Sequence, residues 1–123
     1  MTQAVPRLVT GASGEDVAAD YLRGKGWLIA ARNWRCPYGE IDIIAVDEKS
    51  TVVFVEVKTR RGRGYGDPLE AITYAKVRKL RQLVSAWLQE QPKRVGRVRL
   101  DGVGVLLVAG REPVITHAVG ITQ

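Results

Sequence analysis

The chain has 123 residues, with 19 Lys plus Arg against 13 Asp plus Glu, a formal net charge of +6, and 46% apolar residues. That length fits one domain and excludes an enzyme with a separate cofactor domain, and the apolar content excludes a disordered chain. Apolar runs are short, as at Val105–Ala109, against the ~20 residues a membrane helix needs, so no membrane partner is expected. The N-terminus lacks a continuous apolar core followed by a cleavage site, which argues against a secretory signal. The one cysteine, Cys36, cannot form an internal disulfide and fits a cytoplasmic setting.

Residues 1–12 show no periodicity and read as a flexible segment, with a single domain over 13–120. Ser13-Gly14-Glu15-Asp16 has capping-box form, with Asp in place of the preferred Glu or Gln. Val17, Ala18, Tyr21 and Leu22 then make one apolar helical stripe, ended by Gly24 and Gly26. Trp27–Asn33 reads as a strand, Cys36–Gly39 as a turn, and Glu40–Val46 as a second strand. The short turn Asp47–Ser50 makes the next strand, Thr51–Thr59, antiparallel to it. That third strand is apolar on both faces until Glu56 and Lys58, so it reads as central in its sheet.

Arg61–Gly66 holds three glycines among arginines and is a loop. Asp67-Pro68-Leu69-Glu70 is a second capping pattern, and Thr73 offers a restart. Val77, Leu80, Leu83, Val84, Trp87 and Leu88 follow helical spacing as a core-facing stripe, and Pro92 stops the helix. Arg97–Val108 reads as a strand interrupted by Gly102 and Gly104, and Val114–Val119 as a last short strand. The order is α-β-β-β-α-β-β. The long helix can serve as a crossover between parallel strands. The predicted fold is α/β, a mixed central β-sheet flanked by helices.

Charge inside apolar strands is the feature that points to chemistry. Asp42 interrupts Ile41-Asp42-Ile43-Ile44, and Glu56 and Lys58 interrupt Val55-Glu56-Val57-Lys58. Buried charges need partners or a metal. Strand period places Glu56 and Lys58 on one face, and Glu40 and Asp42 on one face of the preceding strand. If those strands pair, three carboxylates and one ammonium converge. Hard cations such as Mg²⁺ take carboxylate, water and phosphate oxygens. Asp42 and Glu56 would hold the metal, with the Val57 carbonyl as a further ligand and Glu15 as an outer carboxylate. Lys58 would orient the attacking water or stabilise the transition state. The same charges also read as an ordinary Glu56–Lys58 pair across a half-exposed strand, with Asp42 paired to an arginine.

Gly14-Glu15 with Ala18, Ala19, Tyr21 and Leu22, then Arg32-Asn33, Gly39-Glu40-Ile41-Asp42, Val53–Arg60, and Glu70-Ala71 before a basic helix together resemble the YraN-type family of small bacterial proteins. The resemblance covers about residues 11–109. That family is similar to the restriction-endonuclease-like PD-(D/E)XK superfamily, especially archaeal Holliday-junction resolvases. The resemblance implies a restriction-endonuclease-like sheet and a metal-dependent phosphodiesterase site. By motif, Asp42 takes the place of the first acid and Glu56 and Lys58 the Glu-x-Lys pair. Glu15 matches the resolvase helix glutamate, and Arg99-Leu100-Asp101 matches the family's Arg-Phe-Asp. The chain departs from the superfamily at Ile41, where a proline is usual, and at Val77, where many members of the family carry Gln after the lysine. Resolvase-like relatives are often dimers, which makes a homodimer an expectation by analogy.

The leading expectation is a Mg²⁺- or Mn²⁺-dependent endonuclease acting on DNA, branched or structured DNA included. Asp42, Glu56 and Lys58 form its centre, and Glu15 and Glu40 support the metal shell. Arg60, Arg61, Arg63, Lys76 and Lys79 contact phosphates, and Tyr65 is placed to stack on a base. The alternatives are a module of the same fold that binds nucleic acid without cutting it, and a protein-interaction domain. Trp27, Trp34 and Trp87 read as packing residues, Cys36 as no nucleophile, and His117 as a bystander without a partner nearby in sequence.

Overall fold

The computed structural model describes residues 13–62 and 66–121. The segment 1–12, the capping side chain of Ser13, and Arg63 and Tyr65 of the glycine-rich loop lie outside the described residues. Helix α1 (Ser13–Gly24) buries Val17, Ala18, Ala19 and Leu22 along one side. Three strands follow: β1 (Leu28–Cys36), β2 (Gly39–Val46) and β3 (Val52–Arg61). β1 runs past the predicted Asn33, because its pairing with β2 continues to Cys36 opposite Gly39. β3 runs on to Arg61 because its parallel pairing with the next strand continues to Leu107.

Asp67 does cap a turn, accepting the Leu69 N–H at 2.9 Å. The turn is a single 3-10 turn, Pro68–Ala71, and Ile72 is extended behind it. Helix α2 (Tyr74–Gln89) starts afresh at Thr73, whose hydroxyl accepts the Lys76 N–H at 3.2 Å. It buries Val77, Leu80, Leu83 and Val84, as their spacing predicts. Strands β4 (Val98–Leu107) and β5 (Val114–Ala118) complete the chain.

The five strands lie in sequence order, β1-β2-β3-β4-β5. Neighbours are antiparallel except β3 and β4, which are parallel with α2 in the connection between them. The sheet is thus the mixed, helix-flanked α/β sheet that the element order predicts. Helix α1 packs on one face against Ile43, Ala45, Val53, Val55, Val103 and Val105. Helix α2 packs on the other against Ile41, Ile44, Phe54 and Leu100. Trp27 is buried in the first cluster, and Trp34 and Trp87 pack on the second, Trp87 edge-on to Phe54.

β4 is continuous through its glycines, contrary to the predicted interruption. They serve the layer above the strand. A Cβ at Gly104 would lie 3.1 Å from Leu69 Cγ and 3.2 Å from Pro68 Cβ, so the bare backbone lets the 3-10 turn close on the sheet.

His117 has a partner, which corrects the sequence expectation. Asp101 is fully buried and accepts from Arg99 Nε at 2.8 Å, Arg99 Nη2 at 3.1 Å and the Gly120 N–H at 3.0 Å. His117 Nε2 lies 2.8 Å from the same carboxylate, and Tyr21 Oη lies 2.9 Å from His117 Nδ1. With Asp101 ionised, Nε2 donates, and a neutral ring then accepts the Tyr21 hydroxyl. Arg99 continues to Asp47 at 3.2 Å. Burial alone would push Asp101 up, but the bonds from His117, Arg99 and Gly120 outweigh it and hold the carboxyl at about 2.

Two tests follow from this packing. Gly104→Val should cost about 1–3 kcal/mol in urea unfolding, although valine is the better strand residue, because it overpacks the Pro68–Leu69 contact. Asp101→Ala should cost about 3–5 kcal/mol at pH 7, since it strands its buried donors. Because the folded carboxyl is depressed, its stabilisation is present above about pH 4 and disappears as pH falls toward 2. The gap between wild type and variant should therefore close on acidification.

Candidate active site

The site forms where the sheet opens. Pairing of β2 with β3 runs from Val46–Val52 to Ile43–Val55 and stops. Ile41 and Ile44 are three residues apart, so strict alternation would put them on opposite faces, yet both pack in the α2-side cluster. The strand therefore rotates about Asp42. Its carboxylate replaces the missing rung, with Oδ2 accepting the Val57 N–H at 2.8 Å. Across on β1, Asn33 sits between the pairs Arg32–Ile43 and Trp34–Ile41 and takes a left-handed φ of 55°.

Asp42 is shared by two cavities. On the α2 side, one of about 260 Å³ is lined by Gly39, Glu40, Asp42, Glu56, Lys76 and Lys79 with two leucines. Glu56 is buried there, and its Oε2 lies 3.4 Å from both Lys58 Nζ and Lys76 Nζ. Glu40, Asp42 and Glu56 thus line one cavity, although the β2–β3 register expected to bring them together ends at Ile43–Val55. Lys58 shares the face of Glu56 and pairs with it, but does not line the cavity itself.

On the α1 side, a more open cavity of about 510 Å³ is lined by Gly14, Glu15, Arg32, Asn33, Asp42, Val57 and Thr59. A Cβ at Gly14 would run into the Thr59 hydroxyl and lie 2.9 Å from Thr59 Cβ, so glycine sets how closely α1, and with it Glu15, approaches β3. Glu15 is therefore separated from Glu56 by the sheet and meets only Asp42 in a shared cavity.

The electrostatics follow from this placement. Burial is the largest influence on Asp42 and raises it. The Val57 N–H works against that, but the charges of Glu56, Glu15 and Glu40 raise it further, to about 6. Asp42 makes no ion pair among the described residues, which corrects the alternative of a paired arginine. Asp42 and Glu56, two carboxylates in one cavity, are hard oxygen donors suited to Mg²⁺ or Mn²⁺. Among the described residues, no three Asp, Glu, His or Cys side chains form a ready metal cage. The donor set accordingly fits an ion that keeps waters and takes phosphate oxygens, as Mg²⁺ does.

Of the expected phosphate contacts, Lys76 and Lys79 stand exposed on α2 at the mouth of the α2-side cavity. Arg60 and Arg61 end β3, and alternation puts Arg60 on the face of Glu56 and Lys58. No helix among the described residues is long and apolar enough to cross a membrane. Sequence reasoning missed Arg32 and Asn33 as parts of the site. A polar pair inside an otherwise strand-like stretch was the available signal.

The profile of the uncharacterised protein family UPF0102 matches residues 14–105. The chain belongs to that family. A UPF0102 protein of Mycolicibacterium gilvum is 49% identical over 122 residues, covering 98% of this chain and 99% of its own. One from Nocardia farcinica is 52% identical over 107 residues, covering 87% and 84%, and one from Mycobacterium tuberculosis is 50% identical over 123 residues, covering 97% and 96%. Among solved structures, a chain of an EndoMS–dsDNA2 complex is similar with a TM-score of 0.45 and 17% identity. The match covers 83% of this chain and 39% of that one, so this chain spans about two fifths of its length. Membership of UPF0102 bears out the family reading made from the motifs.

Because Asp42 is raised, its ionised form opposes folding, and wild-type stability should decline as pH rises from 4 through 6. Asp42→Asn keeps an acceptor for the Val57 N–H and removes the charge. We expect it to be more stable than wild type at pH 7.5, by roughly 1–2 kcal/mol after allowing for partial solvent screening, and equal at pH 4. Chemical denaturation at the two pH values checks this.

Proposed function

We propose that this UPF0102 protein is a divalent-cation-dependent endonuclease that hydrolyses DNA phosphodiester bonds, with branched or structured DNA among its substrates. The observation that carries the reading is the placement of Asp42 in the gap between β2 and β3, in one cavity with Glu56 and beside exposed lysines. An acid held near neutral pKa by burial and like charges is a common mark of a functional site.

Asp42, Glu56 and the Val57 carbonyl would hold Mg²⁺ or Mn²⁺. Such an ion, when bound, lowers the pKa of a water and neutralises charge on the phosphoryl oxygens. Glu40 adds negative charge at the mouth of the same cavity, and Glu15 does so from the other side. Lys58 pairs with Glu56 from one flank and would orient the nucleophilic water. Lys76 and Lys79 draw the phosphate backbone along the start of α2, with Arg60 and Arg61 extending the track along β3; Arg63 would continue it. Long-range attraction of this kind makes binding strongly salt-dependent.

One observation favours the second reading, a non-catalytic binding module. Glu56 Oε2 already has two ammonium neighbours, as a purely structural acid would. Cleavage separates the two. Single-stranded, duplex, flap and four-way-junction DNA would be incubated with Mg²⁺, Mn²⁺ or EDTA, with wild type beside Glu56→Gln and Lys58→Ala. The nuclease reading predicts metal-dependent products from wild type and a loss of at least about 100-fold in both variants, with binding retained. Salt-sensitive binding without products on any substrate would establish the module instead.

A further inference from the structure

We infer that Arg32 and Asn33 are positioning residues that aim Glu15 at the Asp42 side of the site, making the α1-side cavity a second, working half of the cation site. The inference rests on the nuclease reading above and deepens it.

Glu15 Oε1 is gripped by two donors from adjacent residues of β1: Arg32 Nη2 at 2.9 Å and Asn33 Nδ2 at 2.9 Å. The same Nη2 also reaches Asp16 Oδ1 at 2.8 Å. Both donors take one oxygen of Glu15. No bond among the described residues engages Oε2, and the carboxylate borders the cavity that Asp42 also lines.

The grip has two local costs, and both fall on the residues that make it. Asn33 holds φ at 55°, a region open to Asn but disfavoured for most side chains. Arg32 Nε is buried with no hydrogen-bond partner, the one such side-chain atom among the described residues. An orphaned buried donor is expensive and calls for an explanation. A strand satisfied only by packing would relieve both. They persist because the left-handed backbone at Asn33, between the Arg32–Ile43 and Trp34–Ile41 pairs, turns both the amide and the guanidinium toward α1. Strain of this sort concentrates where a site over-determines its geometry.

The chemistry assigns the pair a specific task. Held carboxylates orient better than free ones, and the groups that orient metal ligands tune affinity without touching the ion. Arg32 also offsets the charge of Glu15 and Asp16, so a carboxylate can stand near Asp42 on the α1 side with less repulsion. Arg32 is accordingly a partner of acids and not a phosphate contact, unlike the exposed cations of α2.

Calorimetric titration of Mn²⁺ into the intact protein tests this without relying on turnover. Asn33→Gly is the clean variant: glycine accepts φ of 55° and removes only the amide. Arg32→Lys keeps the charge and loses the fork. Each should bind Mn²⁺ about 10-fold more weakly than wild type, with the melting temperature of Asn33→Gly in EDTA within a few degrees of wild type. Because the pair acts through Glu15, Asn33→Gly added to Glu15→Gln should weaken binding no further than Glu15→Gln alone. Wild-type affinity in Asn33→Gly, or full additivity with Glu15→Gln, overturns the inference while Asp42→Asn still abolishes binding. No Mn²⁺ uptake by wild type overturns the metal-dependent reading and this inference with it.

Discussion

A carboxylate standing in for a rung of the sheet organises this molecule. Pairing between β2 and β3 ends at Ile43–Val55, and the next donor, the Val57 N–H, is taken by Asp42. A buried N–H without an acceptor costs a kcal/mol or more, so opening the sheet there requires a side-chain acceptor in this place. The same bond fixes Asp42 at the gap. It also ties the acid to the strand that carries Glu56 and Lys58 one residue to either side of Val57. Fold and site are thus set by one hydrogen bond, and the acid that makes it is held at an energetic disadvantage by burial and by its neighbours.

The two faces of the gap differ in charge. On the α2 side, Glu40, Asp42 and Glu56 meet Lys58, Lys76 and Lys79, a mixture that attracts a polyanion and a cation together. On the α1 side, the one cation lining the cavity among the described residues, Arg32, is committed to Glu15 and Asp16. Phosphate approach from the α2 side and carboxylate support from the α1 side follow from that asymmetry. The Asp101–His117–Arg99 network lies in the α1 layer between β4, β5 and α1. It rigidifies the far side of the sheet, where a fully satisfied buried network specifies one packing.

Much of this was legible in the residues because the signals were local. Period-two patterning found β2 and β3, helical spacing found the buried stripe of α2, and a long connection between β3 and β4 with a helix inside it implied the parallel crossover. Charges inside apolar strands marked Asp42, Glu56 and Lys58. The misses were non-local. Asp67 and Thr73 were both legible as caps, but only the sheet below shows why a single 3-10 turn and an extended Ile72 lie between them. His117 seemed isolated because Asp101 is 16 residues away in the chain and next to it in the sheet. Arg32 and Asn33 gained a role only once the left-handed turn of β1 at Asn33 lay across from Asp42. Strand alternation also could not foresee that Glu15 and Glu56 would lie on opposite sides of the sheet.

The central claim is that a divalent cation seats at the gap between β2 and β3. Paramagnetic broadening of backbone amide signals by sub-stoichiometric Mn²⁺ addresses it directly. The account predicts that the amides of Asp42, Ile43, Glu56 and Val57 fade first, followed by those of Glu15 and Asn33, and that Asp42→Asn abolishes the pattern. Broadening centred on the exposed Glu48–Ser50 turn, or spread evenly over surface acids, would contradict it.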